Sequence, residues 1–372
     1  MKDLREKDLR EAWLASAEVP YGLLIPLLHD LGGAGEVYDA LIRRKDLPQN
    51  LLPLEYRERL LELSGGEKEA RRRALLEQHA IRTFSILDPE YPHCLRQIKD
   101  PPGILFYQGN LSCLRAEKKA AMVGSRSASY NGLKETRKIA RDLSRAGVTV
   151  ISGLASGVDA EAHRGCLEGK SPTVAVMGCG LDGVYPSENA SLRREILEKG
   201  GLLISEYAPE VKPLAFHFPY RNRIISGLAD CVILMEAKIR SGSMTTVDHA
   251  LRQGREVFVY PGDPTSPLFA GNRSLLRDGA RYFTTGEDVL SDMNWLDNLP
   301  HVGQNSVCSV SFHPESPAEA KIFSALEKGS LSFEQILGVT DLSSPELMSA
   351  LTLLQIRGKI DALPGKRYQL RR

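Results

Sequence analysis

The sequence lacks the patterns that mark metal centres, disulfide frameworks and membrane spans. Its 372 residues include six cysteines, but these are scattered, with no CxxC pair and no histidine at the spacing of a zinc site. No run of about 20 apolar residues could cross a bilayer, and the opening stretch MKDLREKDLREAWLASAEVP is charged rather than like a signal peptide. We therefore predict a cytoplasmic protein with reduced thiols, no metal or other cofactor and no membrane span.

The sequence also has almost no net charge. The chain carries 48 Lys and Arg residues against 47 Asp and Glu residues, which leaves a formal charge of +1. This balance gives no global basic field, so a nucleic acid would have to be held by a local cluster of cations. The hydrophobic share of 42% and the charged share of 26% are those of a soluble globular protein, and the length suggests two or three domains.

Three regions differ in their hydrophobic pattern. Residues 1–80 place apolar side chains at helical spacing and predict a short helical domain. Residues 81–300 alternate short β-rich runs with helices, and a polar linker at 301–316 follows them. Residues 317–372 read as three short helices and a hairpin, which is the plan of a winged helix.

The recognition helix of the winged-helix region has few basic residues for a helix that would bind DNA. Its hairpin turn is predicted at Pro364-Gly365, and its recognition helix runs from Pro345 to Arg357, which is that helix's one basic residue. DNA binding, protein contact and simple packing are therefore all open roles for this region.

The central region has the pattern of a parallel sheet covered by helices on both faces. Its predicted strands are apolar throughout and alternate with helices: KAAMV, VTVIS, TVAVM, GLLISEY, DCVILM and EVFVYP. In such an α/β fold ligands bind at the carboxyl ends of the strands, so we expect the strand-to-helix junctions to carry the function.

The first two junctions have the composition of anion sites. In MVGSRSASYNG, Gly124 permits close approach, Ser125 is small, Arg126 offers a bidentate fork, and free N–H groups are expected at the start of the next helix. In VTVISGLASGVDAEAHRG, Ser152 and Gly153 repeat this composition. A Gly-Ser turn beside a surface arginine is the structural alternative for the first junction.

Two catalytic readings of these junctions are disfavoured. Ser152, Asp159 and His163 could be imagined as a hydrolytic triad, but no GxSxG nucleophile elbow is present. The sequence GCGLDG fits a dinucleotide-binding pattern after a strand, but VYP follows it where a helix would have to begin. A glycine-rich loop that lets a ligand pass near the sheet edge is the better interpretation.

The stretch FPYRNRIISG predicts a helix with Arg221 and Arg223 in its first turn. A helix N-terminus carries a partial positive charge, so two cations there suggest a bound anion. Phe216, Phe218 and Tyr220 alternate beside them and could stack on bases, although aromatic residues are more often part of a core.

The next junction, EAKIRSGSMTTVDHALRQG, combines cations with a small polar helix start. Its candidate anion-binding residues are Lys238, Arg240, Ser241, Gly242, Ser243 and Thr245. Several anion sites along one sheet edge suit a ligand with phosphates in series, and a basic groove with aromatic residues is how single-stranded nucleic acid is held without sequence preference.

At these junctions the chain resembles the DNA-processing protein A (DprA/Smf) family. The matching motifs run in order from Asp88 to Ala280: DPEYPHCLRQIKDPPGILFYQGN, VGSRSASYNG, VISGLASGVDAEAHRG, VAVMGCGLDGVYPSEN, FPYRNRIISGLAD, RSGSMTTVDHALRQGREVFVYPG and GNRSLLRDGA. The resemblance implies an extended Rossmann-like sheet domain with an N-terminal helical, SAM-like domain and a C-terminal winged helix.

The resemblance also implies a non-enzymatic function. It implies a homodimer formed through the Rossmann-like domain that binds and protects single-stranded DNA. Such a protein loads RecA onto that DNA, including DNA displayed with single-strand-binding protein, during natural transformation and recombination. The DNA contacts that carry over are Gly124, Ser125, Arg126, Phe218, Pro219, Arg221, Asn222, Arg223, Ser241, Gly242 and Ser243.

Two rival functions come from other classes. The central region also resembles nucleoside monophosphate phosphoribohydrolases of the lysine-decarboxylase-like family, but their PGGxGTxxE motif is replaced by RSGSMTTVDHA, with only Asp248 or His249 as a candidate base. A transcription factor built on the winged helix is disfavoured by the weakly basic recognition helix.

Overall fold

The computed structural model describes residues 4–296, 316–326, 331–356, 359–363 and 367–370. The chain divides into two compact units, Met1–Leu299 and Pro300–Arg372. The further boundary predicted at residue 80 stays a prediction. Two hydrophobic clusters contain residues of both the N-terminal helices and the sheet, so these helices and the sheet share a core within the first unit.

The N-terminal part consists of helices, as the spacing of its apolar residues predicts. They are α1 (Glu6–Ala15), α2 (Tyr21–Leu31), α3 (Ala34–Tyr38), α4 (Leu54–Leu63) and α5 (Gly66–Gln78), with a π-helical turn at Asp39–Arg44. Trp13 of α1 is fully buried, donates its indole N–H to the carbonyl of Leu60 at 3.0 Å and meets the ring of Tyr38 edge-on. Gly32, at φ 94°, ends α2 in the left-handed conformation.

A nine-stranded sheet forms the centre of the first unit. Its strands are β1 (Arg82–Ser85), β2 (Ile104–Gly109), β3 (Lys119–Val123), β4 (Thr149–Ser152), β5 (Thr173–Met177), β6 (Leu202–Ser205), β7 (Cys231–Leu234), β8 (Glu256–Val259) and β9 (Arg281–Tyr282), in the order β1-β2-β6-β5-β4-β3-β7-β8-β9. The strands from β3 to β9 pair in parallel, which confirms the predicted α/β class. The antiparallel pairing of β1 with β2 and of β2 with β6 was not predicted.

Helices cover the parallel strands. They are α6 (His93–Arg96), α7 (Tyr130–Arg145), α8 (Val158–Leu167), α9 (Ala190–Glu198), α10 (His217–Leu228), α11 (Gly242–Arg252), α12 (Ala270–Arg277) and α13 (Gly286–Asp292), with short 3-10 turns at Leu111–Arg115, Ser187–Asn189 and Pro267–Phe269. In α7 the buried positions Thr136, Ile139, Ala140 and Leu143 recur at helical spacing and face the core.

The path of the chain through the sheet sets the location of a crevice. From β3 the chain steps to β4, β5 and β6, and then α10 carries it back to β7 on the other side of β3. The connection after β3 therefore runs toward one side of the sheet, to β4, and the connection after β7 runs toward the other side, to β8. In open α/β sheets a ligand crevice lies at this kind of reversal, outside the carboxyl ends of the strands.

One buried carboxylate joins α1 to the edge of the sheet. Asp8 is fully buried and accepts hydrogen bonds from the backbone N–H and hydroxyl of Thr83 at 3.0 and 3.1 Å. It also pairs with Arg5 at 2.8 Å and with Arg82 at 3.0 Å. Burial alone would raise the pKa of Asp8, but the hydrogen bonds from Arg5 and Thr83 hold it below its ordinary value.

The second unit has the winged-helix plan that the sequence predicts. Its elements are α14 (Pro317–Leu326), α15 (Phe333–Thr340), α16 (Ser344–Ile356), β10 (Leu331–Ser332), β11 (Ile360–Leu363) and β12 (Arg367–Leu370). Strand β12 pairs with both β10 and β11 in antiparallel fashion. The predicted turn at Pro364-Gly365 and the basic residue Arg357 lie outside the described residues. None of the helices in the described ranges is long and apolar enough to cross a membrane.

Candidate nucleic-acid interface

A cleft of about 560 Å³ opens where β3, β4 and β7 end. It brings together residues from MVGSRSASYNG, VTVISGLASGVDAEAHRG, FPYRNRIISG and EAKIRSGSMTTVDHALRQG, and Tyr185 from the loop after GCGLDG also lines it. Its lining includes Gly124, Ser125, Arg126, Ala155, Asp159, Tyr185, Phe218, Arg221, Asn222, Ser241, Gly242, Ser243 and Thr246. Of the other predicted site residues, Ser152, Gly153, Arg223, Lys238, Arg240 and Thr245 do not line it.

Close backbone packing joins the first two junctions. A methyl group on Gly124 would come within 2.6 Å of the Val158 side chain, so only glycine lets β3 approach the start of α8 this closely. The carbonyl of Ser125 accepts from the N–H of Val158 at 3.2 Å, and the N–H of Ser125 donates to the carbonyl of Glu236 at 2.7 Å. The floor of the cleft is therefore held by main-chain contacts rather than by side chains that a ligand would displace.

The N-terminus of α7 is not the open anion site that the sequence predicts. The fully buried carboxylate of Glu236 accepts from the backbone N–H of Ser129 at 3.0 and 3.1 Å and from its hydroxyl at 2.6 Å. Ser129 in turn caps the helix by accepting from the N–H of Gly132. An internal carboxylate thus occupies a helix N-terminus, which is the kind of position at which phosphate binds in nucleotide-binding α/β folds.

Arg126 remains available to a ligand at the mouth of the cleft. Its side chain is exposed, and its guanidinium carbon lies 5.2 Å from the centre of the Phe218 ring, within range of a cation–π contact. No ion pair of Arg126 is found among the residues that the structure describes. Phe218 is half-buried and lies 5.3 Å from the ring of Tyr185, so a cation and two aromatic rings meet at one wall.

Arg221 is a buried cation in the wall of the cleft. It donates from Nη1 to the carbonyl of Gly153 at 3.0 Å, and Asp159 accepts from the N–H of Gly153 at 3.2 Å. Burial lowers the pKa of Arg221 to about 10, with Asp159 opposing the shift, so the side chain stays charged near neutral pH. Burial also raises the pKa of Asp159, against the effect of the Arg221 charge.

Arg223 faces the opposite side of α10 and is satisfied internally. Its guanidinium pairs with Glu206 at 2.6 Å, donates to the carbonyl of Asp100 at 2.9 Å and stacks 3.8 Å from the centre of the Tyr220 ring. Burial alone would lower the pKa of Arg223, but the Glu206 carboxylate raises it above its ordinary value. Helix α10 begins at His217, so Arg221 and Arg223 lie in its second turn, and the prediction that they lie in the first turn is wrong. The two also differ from each other: Arg221 faces the cleft, whereas Arg223 already pairs with the Glu206 carboxylate.

The predicted aromatic group is also divided by α10. Phe218 lies in the cleft, whereas Phe216 and Tyr220, 68% and 41% exposed, line a separate cavity of about 520 Å³. There the ring of His217 stacks on Tyr207 at 4.0 Å. Tyr185, which partners Phe218, was not predicted as a site residue, although its place in the glycine-rich loop after β5 was the available signal.

The start of α11 is tied to α10 by an amide. The side-chain N–H of Asn222 donates to the carbonyl of Gly242 at 3.2 Å and to the hydroxyl of Thr245 at 2.9 Å. The hydroxyls of Ser241 and Ser243 lie 2.8 Å apart at the cleft. The cations that precede this helix, Lys238 and Arg240, are exposed. Asn222 and Thr245 are thus placed to hold the wall rather than to contact a ligand.

Ser152 and His163 are engaged elsewhere, as expected if no hydrolytic triad forms. The hydroxyl of Ser152 donates to the carbonyl of Met122 at 2.6 Å, and the buried ring of His163 lies 2.7 Å from the Thr173 hydroxyl. Burial lowers the pKa of His163 to about 3, so the ring is neutral at physiological pH. After GCGLDG the chain forms only a 3-10 turn at Ser187–Asn189 before the α-helix α9 begins at Ala190, which agrees with the interpretation of this segment as a loop.

Comparison with known protein families gives two matches. The model of the family described as DNA recombination-mediator protein A matches residues 82–294. A second model, described as the DprA winged helix domain, matches residues 312–366. The first covers the sheet and its junctions, and the second covers most of the second unit.

Curated relatives and solved structures are similar over the same regions. A DNA processing protein DprA of Streptococcus pneumoniae is 44% identical over 57% of this chain and 74% of its own, and protein Smf of Escherichia coli is 37% identical over 76% and 75%. The X-ray structure of the S. pneumoniae protein aligns with a TM-score of 0.64 at 36% identity, over 75% of this chain and 95% of that one. A Helicobacter pylori DNA processing protein A, whose structure concerns its single-stranded DNA binding mode, gives 0.53 at 29% identity over 57% and 95%.

Proposed function

Because the chain belongs to the DNA recombination-mediator protein A family, we propose that its cleft binds single-stranded DNA. The observation that carries the proposal is the meeting of Arg126, Phe218 and Tyr185 at one wall, with the buried charge of Arg221 beside them. Stacking on aromatic rings and contact of phosphate with cations are together the way in which single strands are held without sequence readout. The H. pylori relative, studied for its single-stranded DNA binding, supports this assignment.

In this proposal the residues have distinct roles. Arg126 and Arg240 contact phosphates as exposed cations, and Lys238 adds charge nearby. Arg221 is already desolvated and oriented by Gly153, so it contributes its charge without an ordering cost when a phosphate arrives. A base stacks at Phe218, where the neighbouring Tyr185 extends the apolar surface.

The wider function follows from the family. We infer that the chain protects single-stranded DNA and passes it to RecA during natural transformation and recombination, with single-strand-binding protein as a further partner and with a homodimer formed through the sheet domain. A non-enzymatic role is supported by the engagement of Ser152 and His163 in structural hydrogen bonds. The phosphoribohydrolase alternative is less well supported, because neither Asp248 nor His249 lines the cleft.

The test is a titration of fluorescent oligo-dT and of a duplex of equal length over a series of salt concentrations. We expect tight binding of the single strand, weak binding of the duplex, and a log–log salt slope of about −0.7 for each phosphate contacted. The change Arg126→Ala should remove about 0.7 from the slope, or about fivefold in affinity at 0.1 M salt. Equal affinity for single strand and duplex would contradict the proposal.

The aromatic contact is tested by Phe218→Ala. Loss of base stacking should weaken single-strand binding by about 1–3 kcal/mol with little change in the salt slope, because no charge is removed. Phe216→Ala is the matched control, since Phe216 is the same residue type on the same helix end but faces the other cavity. An equal loss from both variants would show that Phe218 has no special role.

A further inference from the structure

Helix α7 carries a basic and aromatic stripe beyond the mouth of the cleft. Tyr130, Lys134 and Lys138 follow one another at four-residue spacing, so they lie on one face of the helix. All three are exposed, and Tyr130 has 82% of its surface accessible. An aromatic ring this open contributes nothing to the core, and its face is accessible to a ligand.

The charged residues on and around this stripe differ in whether they form ion pairs. The neighbouring arginines of α7 have acidic partners: Arg137 pairs with Glu168 at 2.5 Å, and Arg145 lies 4.0 Å from Asp142. In the described ranges neither Lys134 nor Lys138 forms an ion pair. Glu135, the acid next to Lys134, lies near enough to Tyr260 to raise the pKa of that phenol, second to burial.

The stripe begins where the cleft ends. Helix α7 follows directly after Arg126, and the carboxylate of Glu236 occupies its N-terminus. A strand that leaves the cleft on this side therefore cannot place a phosphate on the helix end and has to pass along the helix flank. At a rise of 1.5 Å per residue, Tyr130 and Lys138 are about 12 Å apart along the axis. That length accommodates about three phosphates of a stacked strand at roughly 3.4 Å each.

We propose that this stripe, Tyr130, Lys134 and Lys138, is a second segment of the single-strand path, a proposal that rests on DNA binding in the cleft. Tyr130 stacks on a base that has left the cleft, and the two lysines contact the phosphates that follow it. The segment is independent of sequence, because it offers a ring face and two point charges but no fixed set of base-edge contacts.

The experiment compares two oligo-dT lengths on the full-length protein. An oligonucleotide of about 5 nucleotides should occupy the cleft alone, and one of about 15 should also cover the stripe, within the range of single-strand site sizes. The variant K134A/K138A should leave binding of the short oligonucleotide unchanged. On the long one it should reduce the salt slope by about 1.4, which is about 25-fold in affinity at 0.1 M salt.

Two further variants sharpen the result. Tyr130→Ala should weaken binding of the long oligonucleotide without altering its salt slope. The control K68A/K99A removes the same charge at exposed positions on α5 and on the segment between α6 and β2, and should bind both lengths as wild type does. All these changes to alanine are at exposed sites, so the fold should tolerate them.

The outcomes separate this proposal from the one on which it rests. If K134A/K138A binds the long oligonucleotide as wild type does, or loses the same factor on both lengths, the stripe is not a separate segment of the path. If wild type binds neither oligonucleotide, the cleft itself is wrongly assigned and the stripe falls with it. Binding of the short oligonucleotide by every variant, with selective loss on the long one, supports both.

Discussion

Replacing Arg221 with methionine is expected to lower the free energy of unfolding by about 3–5 kcal/mol, the usual cost of leaving a buried charge without its counter-charge. Asp159 is the group left behind. A methyl group built on Gly153 would come within 2.5 Å of the Arg221 guanidinium and 2.7 Å of the Asp159 carboxylate, so the two charges flank the same glycine. The measurement is urea unfolding at neutral pH.

The loss from Arg221→Met should depend on pH with a definite sign. Because burial raises the pKa of Asp159 and Arg221 opposes that rise, the variant should have a still higher pKa at Asp159 in the folded state. The charge-dependent part of the penalty is then complete above the folded-state pKa of the variant and disappears as the pH falls below the raised folded-state pKa of the wild type, where the carboxyl is neutral in both proteins. The variant should therefore approach wild-type stability in acid.

Two controls make the Arg221 result specific. Adding Asp159→Asn to Arg221→Met should recover part of the stability, because the stranded charge is removed. Arg126→Met changes an exposed arginine in the same cleft and should cost less than about 1 kcal/mol. If the double variant is no more stable than Arg221→Met alone, charge pairing is not what holds this wall.

The second large effect is expected from Asp8→Ala, at the joint between α1 and β1. The change leaves the buried N–H and hydroxyl of Thr83 without their acceptor, at about 1–3 kcal/mol for each group, and it removes the carboxylate that Arg5 and Arg82 share. Because the folded-state pKa of Asp8 is below its ordinary value, its contribution is complete above the unfolded-state pKa and is lost as pH falls through the folded-state value. The difference between wild type and variant should therefore become smaller in acid, where the charge-dependent part of the contribution is lost.

The Asp8 result is measured by denaturant unfolding and by hydrogen exchange. Faster amide exchange in α1 than in β4 would show that the N-terminal helices detach first. Glu6→Ala is the control, because Glu6 is a 58% exposed carboxylate on the same helix. It pairs with Arg73 and with the buried Arg10, but Arg10 keeps its second partner, Glu69 at 3.1 Å, when Glu6 is removed. Equal losses from the two variants would mean that burial at Asp8 adds nothing.

Much of the sheet could be predicted because its strands are apolar on both faces. KAAMV and TVAVM coincide with β3 and β5 residue for residue. The direction of β1 and β2 could not be predicted in the same way, since RTFS and ILFYQG fit either direction and the path of the chain around α6 decides which one forms. Local pattern identifies a strand, whereas tertiary packing fixes its direction.

The sequence predicted which strand-to-helix junctions form the site, but not which side chains of those junctions enter the cleft. A helix turns about 100° per residue, so Arg221 and Arg223 point to directions about 200° apart. This rotation sends Arg221 to the cleft and Arg223 to Glu206, and it separates Phe218 from Phe216 in the same way. The sequence predicted the helix correctly but gave no sign of the acid that Arg223 would meet, because Glu206 lies on the segment after β6.

The carboxylate of Glu236 at the start of α7 affects how well free nucleotides can compete with DNA for this protein. Free nucleotides are abundant in cells and carry the same phosphates and bases as DNA. A monomer that docked on this helix end would have to displace the three hydrogen bonds from Ser129 and would meet a negative charge of its own sign. A polymer does not need this contact, because many weak contacts along its length together provide its affinity. If the cleft binds single-stranded DNA as proposed, a protein whose own carboxylate fills this helix end is expected to bind a strand in preference to free nucleotides.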